Sequence, residues 1–376
     1  MKKKIYYWSP FLSPIATTKA VINSASSIMR YSKDYECTIL NFFNEFCNFE
    51  KLILRKNIKI MNFYKINFSK YLPYRGKIKS RLSFVIFFIL GFLPLKKILR
   101  NYKPDYLIIH LISSLPLVLF ILFQFDTKLI LRISGYPRMN YFRKILWKVA
   151  FKKIYLVTCP TVNTLNYLKK LDLINPKKIK LLYDPIIDVN EINKKKNEII
   201  DYKNYYLAVG RLTKQKNFLF LCETFSKLIE ENKKLKLLIA GTGEEENKIR
   251  KYIKKNNLNN NIILLGHVSN IYPYFKNSNG FILSSLWEDP GFVIVEASFC
   301  RTPILSANSW PGPIELIVNN HNGILYDSND KNSFYEKFKQ LENLDDKKNM
   351  QLNNLKYIKR FTLFNHYKEL SNIINK

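Results

Sequence analysis

One stretch in the C-terminal half decides the fold: residues 280–297 read GFILSSLWEDPGFVIVEA. Its first five residues predict a buried strand. Pro290 and Gly291 predict the start of a helix, because proline is tolerated in the first helical turn and glycine permits close backbone approach. The helix then contains Glu296 in an otherwise apolar segment, where a carboxylate is costly unless it has a partner. The stretch therefore predicts a strand, a loop and a helix, with Glu288 before the helix and Glu296 inside it as candidate functional carboxylates.

Each of these carboxylates has a structural and a functional interpretation. Glu288 precedes the helix and is suited either to capping its start or to facing a ligand there. Glu296 lies inside the helix and suits either a buried salt bridge or a ligand with hydrogen-bond donors. The two loops that follow the neighbouring predicted strands bear on the choice.

Those two loops contain groups suited to a phosphate ligand. Residues 210–217 read GRLTKQKN and bring the cations Arg211 and Lys216 close to a predicted helix start. Free backbone N–H groups, the helix dipole and a guanidinium favour a dianion at such a place. Residues 241–244 read GTGE, a tight turn that allows backbone to approach a ligand. Because ligands bind beyond the carboxyl ends of parallel strands, these loops predict a binding site.

Short apolar runs alternate with amphipathic stretches through most of the 376 residues. Such alternation predicts parallel sheets with helices on both faces, in two doubly wound α/β domains. The predicted strands are 3–8, 37–42, 105–110, 128–133, 154–159, 205–209, 235–240, 262–265, 280–284 and 303–306. We expect an N-terminal domain over 1–185, a C-terminal domain over 186–350, and a helix over 351–376 that packs back towards the N-terminal domain.

The net charge of +32 is distributed unevenly along the chain. Residues 1–188 hold 33 Lys and Arg against 9 Asp and Glu, whereas the remaining residues hold 28 against 20. Residues 51–103 contain 14 basic residues and no acidic one. Compositional drift of an AT-rich coding sequence would spread the lysines evenly. The asymmetry therefore favours a polyanionic partner of the N-terminal half, either nucleic acid or an anionic membrane surface.

An apolar run, residues 82–95, lies inside this basic stretch. It is shorter than the roughly 20 helical residues that span a bilayer, so it predicts an interfacial or a buried helix. Residues 106–125 predict a buried strand followed by a helix. Because basic and apolar residues are mixed and no nucleic-acid-binding module is recognisable, we expect an anionic membrane surface as partner and no nucleic acid. The apolar segment 5–8 is too short for a signal peptide, so we expect a cytoplasmic protein, peripheral at the inner face of the cytoplasmic membrane.

Taken together, the motifs resemble one enzyme family. Glu288 and Glu296 match the E-x7-E element of the retaining, GT-B fold glycosyltransferases of family 4, also called group 1 glycosyltransferases. The segment 210–217 resembles the diphosphate-binding loop of that family, 241–244 its next strand-to-helix turn, and 266–268 its base-side loop. The resemblance implies two Rossmann-like doubly wound domains facing across a cleft. It makes the N-terminal domain the acceptor-binding domain and the C-terminal domain the nucleotide-sugar-binding domain.

The resemblance also implies the site residues. Arg211 and Lys216 would hold the diphosphate, Glu296 would accept hydrogen bonds from the ribose hydroxyls, and Glu288 would face the donor sugar. The strand 104–110 resembles a family strand that ends in a histidine near the donor sugar. The implied catalytic residues are Glu288, His110, Arg211 and Lys216. The implied donor-binding residues are Arg211, Lys216, Gly241, Val268, Glu288, Gly291, Phe292, Val293, Glu296, Ser13 and Ala16.

Two features of the N-terminal half qualify this assignment. The loop 9–18 lacks the glycine pair that many relatives have there, so contact with the diphosphate would come through backbone amides such as those of Ser13 and Ala16. Arg132, Ser134 and Gly135 follow or end a predicted strand and are expected on the acceptor side.

The implied function is a retaining glycosyltransferase, hexosyl or N-acetylhexosaminyl, that acts on a glycan or lipid-linked acceptor in bacterial cell-surface polysaccharide biosynthesis. We expect a nucleotide-sugar donor, with UDP favoured over GDP, and neither a cofactor nor a metal, since cations and helix N-termini would neutralise the leaving diphosphate. Consistently, the sequence has no Asp-x-Asp motif. Three alternatives stay open: another GT-B enzyme such as a nucleotide-sugar epimerase or an inverting transferase, a basic nucleic-acid-binding protein, and an inactive homologue that serves as a partner subunit.

Overall fold

The chain forms two compact units. The computed structural model describes residues 2–11, 16–64, 77–133, 135, 137, 139–344 and 347–375, with only the backbone of 77–84. Unit 1 comprises Met1–Pro185 and Leu363–Lys376, and unit 2 comprises Ile186–Thr362.

Unit 1 contains a seven-stranded parallel sheet. Its strands are β1 (Lys3–Trp8), β2 (Tyr35–Asn41), β3 (Lys59–Asn62), β4 (Tyr106–Ile109), β5 (Lys128–Arg132), β6 (Leu156–Cys159) and β7 (Ile179–Leu181). The spatial order is β3-β2-β1-β4-β5-β6-β7. The chain thus builds the sheet outward in both directions from β1 and β4, which makes the gap between their carboxyl ends a topological switch point.

Helices cover both faces of the unit 1 sheet. They are α1 (Ala16–Tyr31), α2 (Glu50–Arg55), α3 (Lys77–Tyr102), α4 (Ser114–Leu122), α5 (Tyr141–Ala150), α6 (Val162–Lys170) and, at the end of the chain, α15 (Leu363–Ile374). Residues of α3, α4 and α5 share one core with Trp8 and Leu107, whereas residues of α1 and α15 share another with Tyr7 and Ile108. The alternation follows from the two-residue period of a strand, which sends successive side chains to opposite faces.

Unit 2 contains a six-stranded parallel sheet. Its strands are β8 (Tyr206–Val209), β9 (Leu237–Ala240), β10 (Ile262–Gly266), β11 (Gly280–Leu283), β13 (Ile304–Ala307) and β15 (Ile324–Tyr326), in the order β10-β9-β8-β11-β13-β15. Two short strands, β12 (Trp287–Glu288) and β14 (Trp310–Pro311), pair separately. The helices are α7 (Val189–Lys195), α8 (Phe218–Glu231), α9 (Glu246–Lys255), α10 (Tyr272–Asn277), α11 (Phe292–Phe299), α12 (Pro313–Leu316), α13 (Lys331–Glu342) and α14 (Lys347–Ile358).

The ten predicted strands are confirmed, with ends that differ by at most two residues. The sequence analysis missed β3, β7 and β15, which all lie at sheet edges, and the two short strands β12 and β14. The residues of β3 are exposed or half-buried, so its sequence KIMN lacks the continuous apolar run that marks a central parallel strand.

The apolar run 82–95 lies within α3, a helix of 26 residues. Phe87 and Leu95 are buried on its inner side, whereas Val85, Ile89 and Leu93 are exposed. Across the described residues, no helix combines the length and apolarity that crossing a membrane requires. The expected strand and helix within 106–125 are confirmed as β4 and α4.

The C-terminal end differs from the single helix that its sequence pattern predicts. It forms α14, a 3-10 turn (Lys359–Phe361) and α15. The interruption has a structural cause, because the carbonyl of Phe361 accepts hydrogen bonds from the N–H groups of Ile186 and Ile187. Thr362 is extended and bridges to Ile187, so the helix cannot continue through it.

Candidate active site

The unit 2 sheet also has a switch point, between β8 and β11. From this pair, β9 and β10 extend the sheet in one direction and β13 and β15 in the other. Loops diverge from the carboxyl ends of the two central strands, which leaves a crevice where ligands bind in open parallel sheets. The predicted site residues of unit 2 follow β8, β9, β10 and β11, and therefore all lie along this edge.

The loop after β8 is fastened to the loop after β11. The Ser284 hydroxyl donates to the Lys216 carbonyl at 2.7 Å. The Gln215 carbonyl accepts from the Leu286 N–H at 2.8 Å, and the Gln215 side-chain amide donates to the Trp287 carbonyl at 2.8 Å. These bonds fix the backbone that carries the predicted cations.

The two predicted site cations of this loop, Arg211 and Lys216, are in different states. Lys216 forms an ion pair with Glu288, and the two side chains are only 13% and 10% exposed. Arg211 is exposed, and its guanidinium makes no hydrogen bond or ion pair with a residue that the structure describes. Of these two cations, Lys216 is neutralised by Glu288, whereas the charge of Arg211 is available to an anion.

Glycine is required at the turn after β9. Gly241 has a φ of +144°, and a Cβ at this position would collide with the carbonyl of Gly210. Its N–H donates to the Gly266 carbonyl at 2.7 Å. The loops after β8, β9 and β10 thus meet at Gly241. Val268 lies in the loop after β10 and is half-buried.

The start of α11 completes the edge. Gly291 precedes the helix with a φ of +98°, and Phe292 and Val293 form its first turn. The first N–H groups of a helix have no carbonyl partner within the helix and carry partial positive charge, so they attract an anion. The Glu288 carbonyl accepts from the Gly312 N–H at 2.9 Å, which ties this turn to α12.

Glu296 lies one turn further along α11 and is 8% exposed. The hydroxyl of Tyr272 donates to its carboxylate at 3.4 Å. Sequence reasoning missed Tyr272, since the contact arises only when α10 packs against α11. A nearly buried carboxylate at the sheet edge can accept further bonds from ligand hydroxyls.

Unit 2 has a cavity of about 440 Å³ at the other end of its strands, where they begin. It is lined by Lys196–Asn204 except Asp201, and by Lys276 and Asn277. These residues precede β8 and β11 instead of following them, and none of the predicted site residues is among them. Among the described residues, no group of three His, Cys, Asp or Glu side chains is arranged to hold a metal ion.

In unit 1, His110 lies at the switch point between β1 and β4. Its N–H donates to the Trp8 carbonyl at 2.9 Å, which joins the ends of the two strands. Burial, followed by the cation of Arg132 and by His366, holds the pKa of His110 well below its ordinary value, so the imidazole is neutral. Ala16 is the exposed first residue of α1, and Ser13 lies outside the described residues.

Arg132 is paired within unit 1, and its acceptor-side role stays a prediction. Its guanidinium donates to the Leu182 carbonyl at 2.5 Å and to the Asp184 carboxylate at 2.6 Å, and it is 2% exposed. Burial of a strand-end arginine requires such a partner, and two of the five N–H donors of the guanidinium are used in this way within unit 1. Gly135 has open space around it, and Ser134 lies outside the described residues.

A cavity of about 380 Å³ lies beside His110 and Arg132. Gly135 also lines it, together with Arg143 and Trp147 of α5. The cavity therefore sits at the carboxyl edge of the unit 1 sheet, with cationic and apolar side chains in its wall.

A buried hydrogen-bonded chain holds α15 on unit 1. His366 accepts from or donates to the Ser24 hydroxyl at 2.8 Å and contacts the Tyr183 carbonyl at 2.7 Å. Burial lowers the pKa of His366 to about 3. The neutral ring suits this position, because one nitrogen donates to the carbonyl while the other accepts from the hydroxyl.

Comparisons with known proteins identify the family of this chain. Residues 189–357 match the family model described as glycosyl transferases group 1. An uncharacterized glycosyltransferase of Methanocaldococcus jannaschii is 30% identical over 307 residues, which cover 74% of this chain and 75% of that protein. The N-acetylgalactosamine-N,N'-diacetylbacillosaminyl-diphospho-undecaprenol 4-alpha-N-acetylgalactosaminyltransferase of Campylobacter jejuni is 28% identical over 267 residues, 68% of this chain and 72% of that protein.

The fold has solved counterparts. Anabaena HepE, crystallised with UDP and glucose, superposes with a TM-score of 0.73 at 16% identity, covering 100% of both chains. At this identity the likeness concerns the fold. The predicted GT-B class, with two Rossmann-like units, is confirmed.

Proposed function

The chain belongs to the group 1 glycosyltransferases, and from this premise we propose that it is a retaining enzyme of family 4 that moves a sugar from a UDP-sugar to a glycan or lipid-linked acceptor. We further propose that it acts in bacterial cell-surface polysaccharide biosynthesis, such as that of O-antigen, capsule or lipopolysaccharide. One observation carries the proposal: Arg211, the Lys216–Glu288 pair and Glu296 lie along one edge of the unit 2 sheet, at its switch point.

The donor diphosphate binds between the β8 loop and the start of α11. Arg211 supplies a guanidinium that pairs with two phosphate oxygens, and Lys216 supplies a second cation. The amides of Gly291, Phe292 and Val293 face the distal phosphate. Because these groups neutralise the leaving diphosphate, we expect transfer to proceed in the presence of EDTA.

The nucleoside binds beside Glu296 and Val268. Two adjacent ribose hydroxyls donate to the Glu296 carboxylate, and such charge-assisted bonds are strong at a site that is largely screened from water. Val268 contacts the base through its backbone, and Gly241 allows close approach of the turn to the nucleotide. The preference for UDP over GDP is supported by the UDP-bound HepE structure.

Lys216 and Glu288 link donor binding to chemistry. An ammonium has three N–H donors, so Lys216 can bind a phosphate oxygen while it still contacts Glu288. The Glu288 carboxylate faces the donor sugar, where it accepts bonds from sugar hydroxyls and stabilises positive charge at the anomeric carbon. The acceptor hydroxyl attacks on the face from which the diphosphate leaves, and a phosphate oxygen takes the proton, which gives retention.

Unit 1 is the acceptor-binding part in this proposal, and His110 lies at the switch point of its sheet. The neutral state of His110 supports a hydrogen-bonding role towards the sugar. Partial support for a lipid-linked acceptor comes from the name of the Campylobacter relative. We propose that the protein is cytoplasmic and attaches to the inner face of the membrane through its basic N-terminal half.

Transfer is tested by incubating the protein with a panel of UDP- and GDP-sugars and a synthetic lipid-diphosphate-linked acceptor, with NMR analysis of the product. We expect an α-linked product from an α-linked donor, and the Lys216→Met variant as the inactive control. A β-linked product would identify an inverting transferase. Epimerised donor without transfer would identify an epimerase. Failure of the protein to bind any nucleotide-sugar would contradict the proposal.

A further inference from the structure

One surface of unit 1 exposes several large apolar side chains. Helix α4 packs against both α3 and α5, and all three cover the same face of the sheet. Their outer sides carry exposed large apolar side chains: Val85, Ile89 and Leu93 on α3, Leu122 on α4, and Tyr141, Phe142, Ile145 and Val149 on α5. We call this the outer helical face. A set of adjacent exposed apolar side chains marks an interaction surface.

Helix α5 is the most prominent part of this face. Phe142 and Tyr141 are 81% and 73% exposed, which is unusual for aromatic side chains. At roughly 100° per residue, Ile145 and Val149 fall beside them on the wheel, while Lys144 and Lys148 form the adjoining strip. The solvent-exposed side of α5 therefore consists of an apolar strip and a basic strip that run side by side along the helix.

The charge of the outer helical face has a single sign. The three helices contain nine Lys and Arg and no Asp or Glu. On α3 the described exposed stripe passes from Val85, Ile89 and Leu93 to Lys97 and Arg100. A partner must therefore accept apolar side chains and be negatively charged around them.

This combination selects a lipid surface among the possible occupants. A second copy of the same face would set the exposed cations Lys97, Arg100, Lys144 and Lys148 against the same cations, and repulsion would oppose the dimer. Nucleic acid would leave the aliphatic residues Ile89, Leu93 and Leu122 without a complementary surface. An anionic bilayer offers acidic headgroups over an apolar interior, which matches both parts of the face.

We propose that the outer helical face docks on an anionic bilayer, with Tyr141 and Phe142 inserted at the headgroup level. Arg143 and Trp147 of α5 line the cavity that also contains His110. Docking through α5 therefore brings that cavity to the headgroup layer, where a lipid-linked acceptor is within reach. This role of the cavity rests on the proposed function, whereas the docking itself does not depend on catalysis.

The test is flotation with vesicles of phosphatidylglycerol and phosphatidylcholine in equal parts, at low salt. Loss of both inserted aromatics in the variant Tyr141→Ser/Phe142→Ser lowers the partition coefficient by about tenfold or more. Removing two cations in Lys144→Gln/Lys148→Gln lowers it by roughly thirtyfold, and this effect shrinks as salt rises. The matched control is Phe364→Ser, an aromatic residue of α15 that is 52% exposed on the opposite layer of unit 1.

Thermal melts first establish that the variants fold. We expect them to fold, because the replaced side chains are exposed. The proposal predicts wild-type binding for Phe364→Ser and little binding of any variant to pure phosphatidylcholine. It is overturned if wild type does not float, if Tyr141→Ser/Phe142→Ser floats like wild type, or if Phe364→Ser loses as much binding. It is also overturned if ultracentrifugation shows a wild-type dimer that the aromatic double variant dissociates.

Measurements of sugar transfer distinguish a failure of the docking proposal from a failure of the proposed function. With a water-soluble short-chain acceptor, Tyr141→Ser/Phe142→Ser should transfer sugar at the wild-type rate, and with an acceptor embedded in vesicles it should be slowed about tenfold. If wild type floats but transfers no sugar in either format, the docking stands and the proposed function fails.

Discussion

The Lys216–Glu288 pair offers the clearest quantitative test of the site. In the variant Lys216→Met the aliphatic stem is retained along Gly210, but the Glu288 carboxylate loses its cation. No other residue that the structure describes forms an ion pair with Glu288. The variant therefore leaves a nearly buried carboxylate uncompensated at the edge of the sheet.

The cost follows from the burial of the pair. Breaking a buried ion pair by removing one partner costs about 3–5 kcal/mol, and the remaining exposure of both side chains favours the lower end, about 3 kcal/mol. In a unit of this size, 1 kcal/mol shifts the midpoint of unfolding by about 2–4 °C. We therefore expect Lys216→Met to lower the midpoint of unit 2 by about 6–12 °C. The double variant Lys216→Met/Glu288→Gln removes both charges and should recover at least half of the loss.

Differential scanning calorimetry without nucleotide measures this effect. The transition of unit 2 is the one that UDP raises in the wild-type protein, and the transition of unit 1 serves as an internal reference. A Lys216→Met protein whose unit 2 midpoint stays within the scatter of wild type would refute the reasoning. So would a double variant that is destabilised by the sum of the two single effects.

Three further predictions concern the framework of the site. Gly241→Ala should cost about 3 kcal/mol or more and abolish UDP binding in a titration, because of backbone strain and collision, whereas Gly135→Ala, which has nothing within 4 Å, should be silent. His366 has a folded pKa of about 3, so the unfolded chain alone takes up a proton as pH falls through 6.5, and stability is lost towards pH 3. Denaturant titrations should therefore show wild type losing about 1.4 kcal/mol between pH 6 and 5 that His366→Gln does not lose. Asp184→Asn should lower unit 1 stability by about 3 kcal/mol in a thermal melt, since it leaves Arg132 buried without its carboxylate.

The central strands were predictable because a strand covered by helices on both faces is a continuous apolar run. This holds for β8, β9 and β11, which position the site. Edge strands such as β3 are covered less completely, so their sequences mix polar and apolar residues. Sequence reasoning thus identified the central strands whose loops form the candidate site and missed the edge strands, as well as the two-residue β12 that contains Glu288.

Within the site, the sequence revealed single charged residues at unusual positions, but it did not reveal the residues that they contact. Glu296 stood out as a carboxylate in an apolar helix, and Lys216 as a cation near a helix start. The partners of these two residues lie far away in sequence. Lys216 pairs with Glu288, and Glu296 accepts a hydrogen bond from Tyr272. Such pairs depend on how helices and loops pack, which single-sequence periodicity does not encode.

Arg132 is another residue whose partner the sequence does not reveal. As a cation at the carboxyl end of a strand it has the features of a ligand-binding residue, yet its guanidinium is paired with Asp184 inside unit 1. The sequence distance between the two, 52 residues, conceals this pairing. The outer helical face was foreseen in part, since the basic and apolar stretch 51–103 was recognised, but the aromatic pair on α5 was not.

The central claim is that the carboxylate of Glu296 binds the ribose of a uridine nucleotide. Isothermal titration of UDP and of 2′-deoxy-UDP against wild type and Glu296→Gln tests it most directly. Because a hydrogen bond to a charged group is worth about 1.5–3 kcal/mol, wild type should prefer UDP by roughly tenfold to a hundredfold. In Glu296→Gln the preference should largely disappear. If the variant binds UDP with the wild-type preference over 2′-deoxy-UDP, the ribose is not held by Glu296 and the assignment of the site is contradicted.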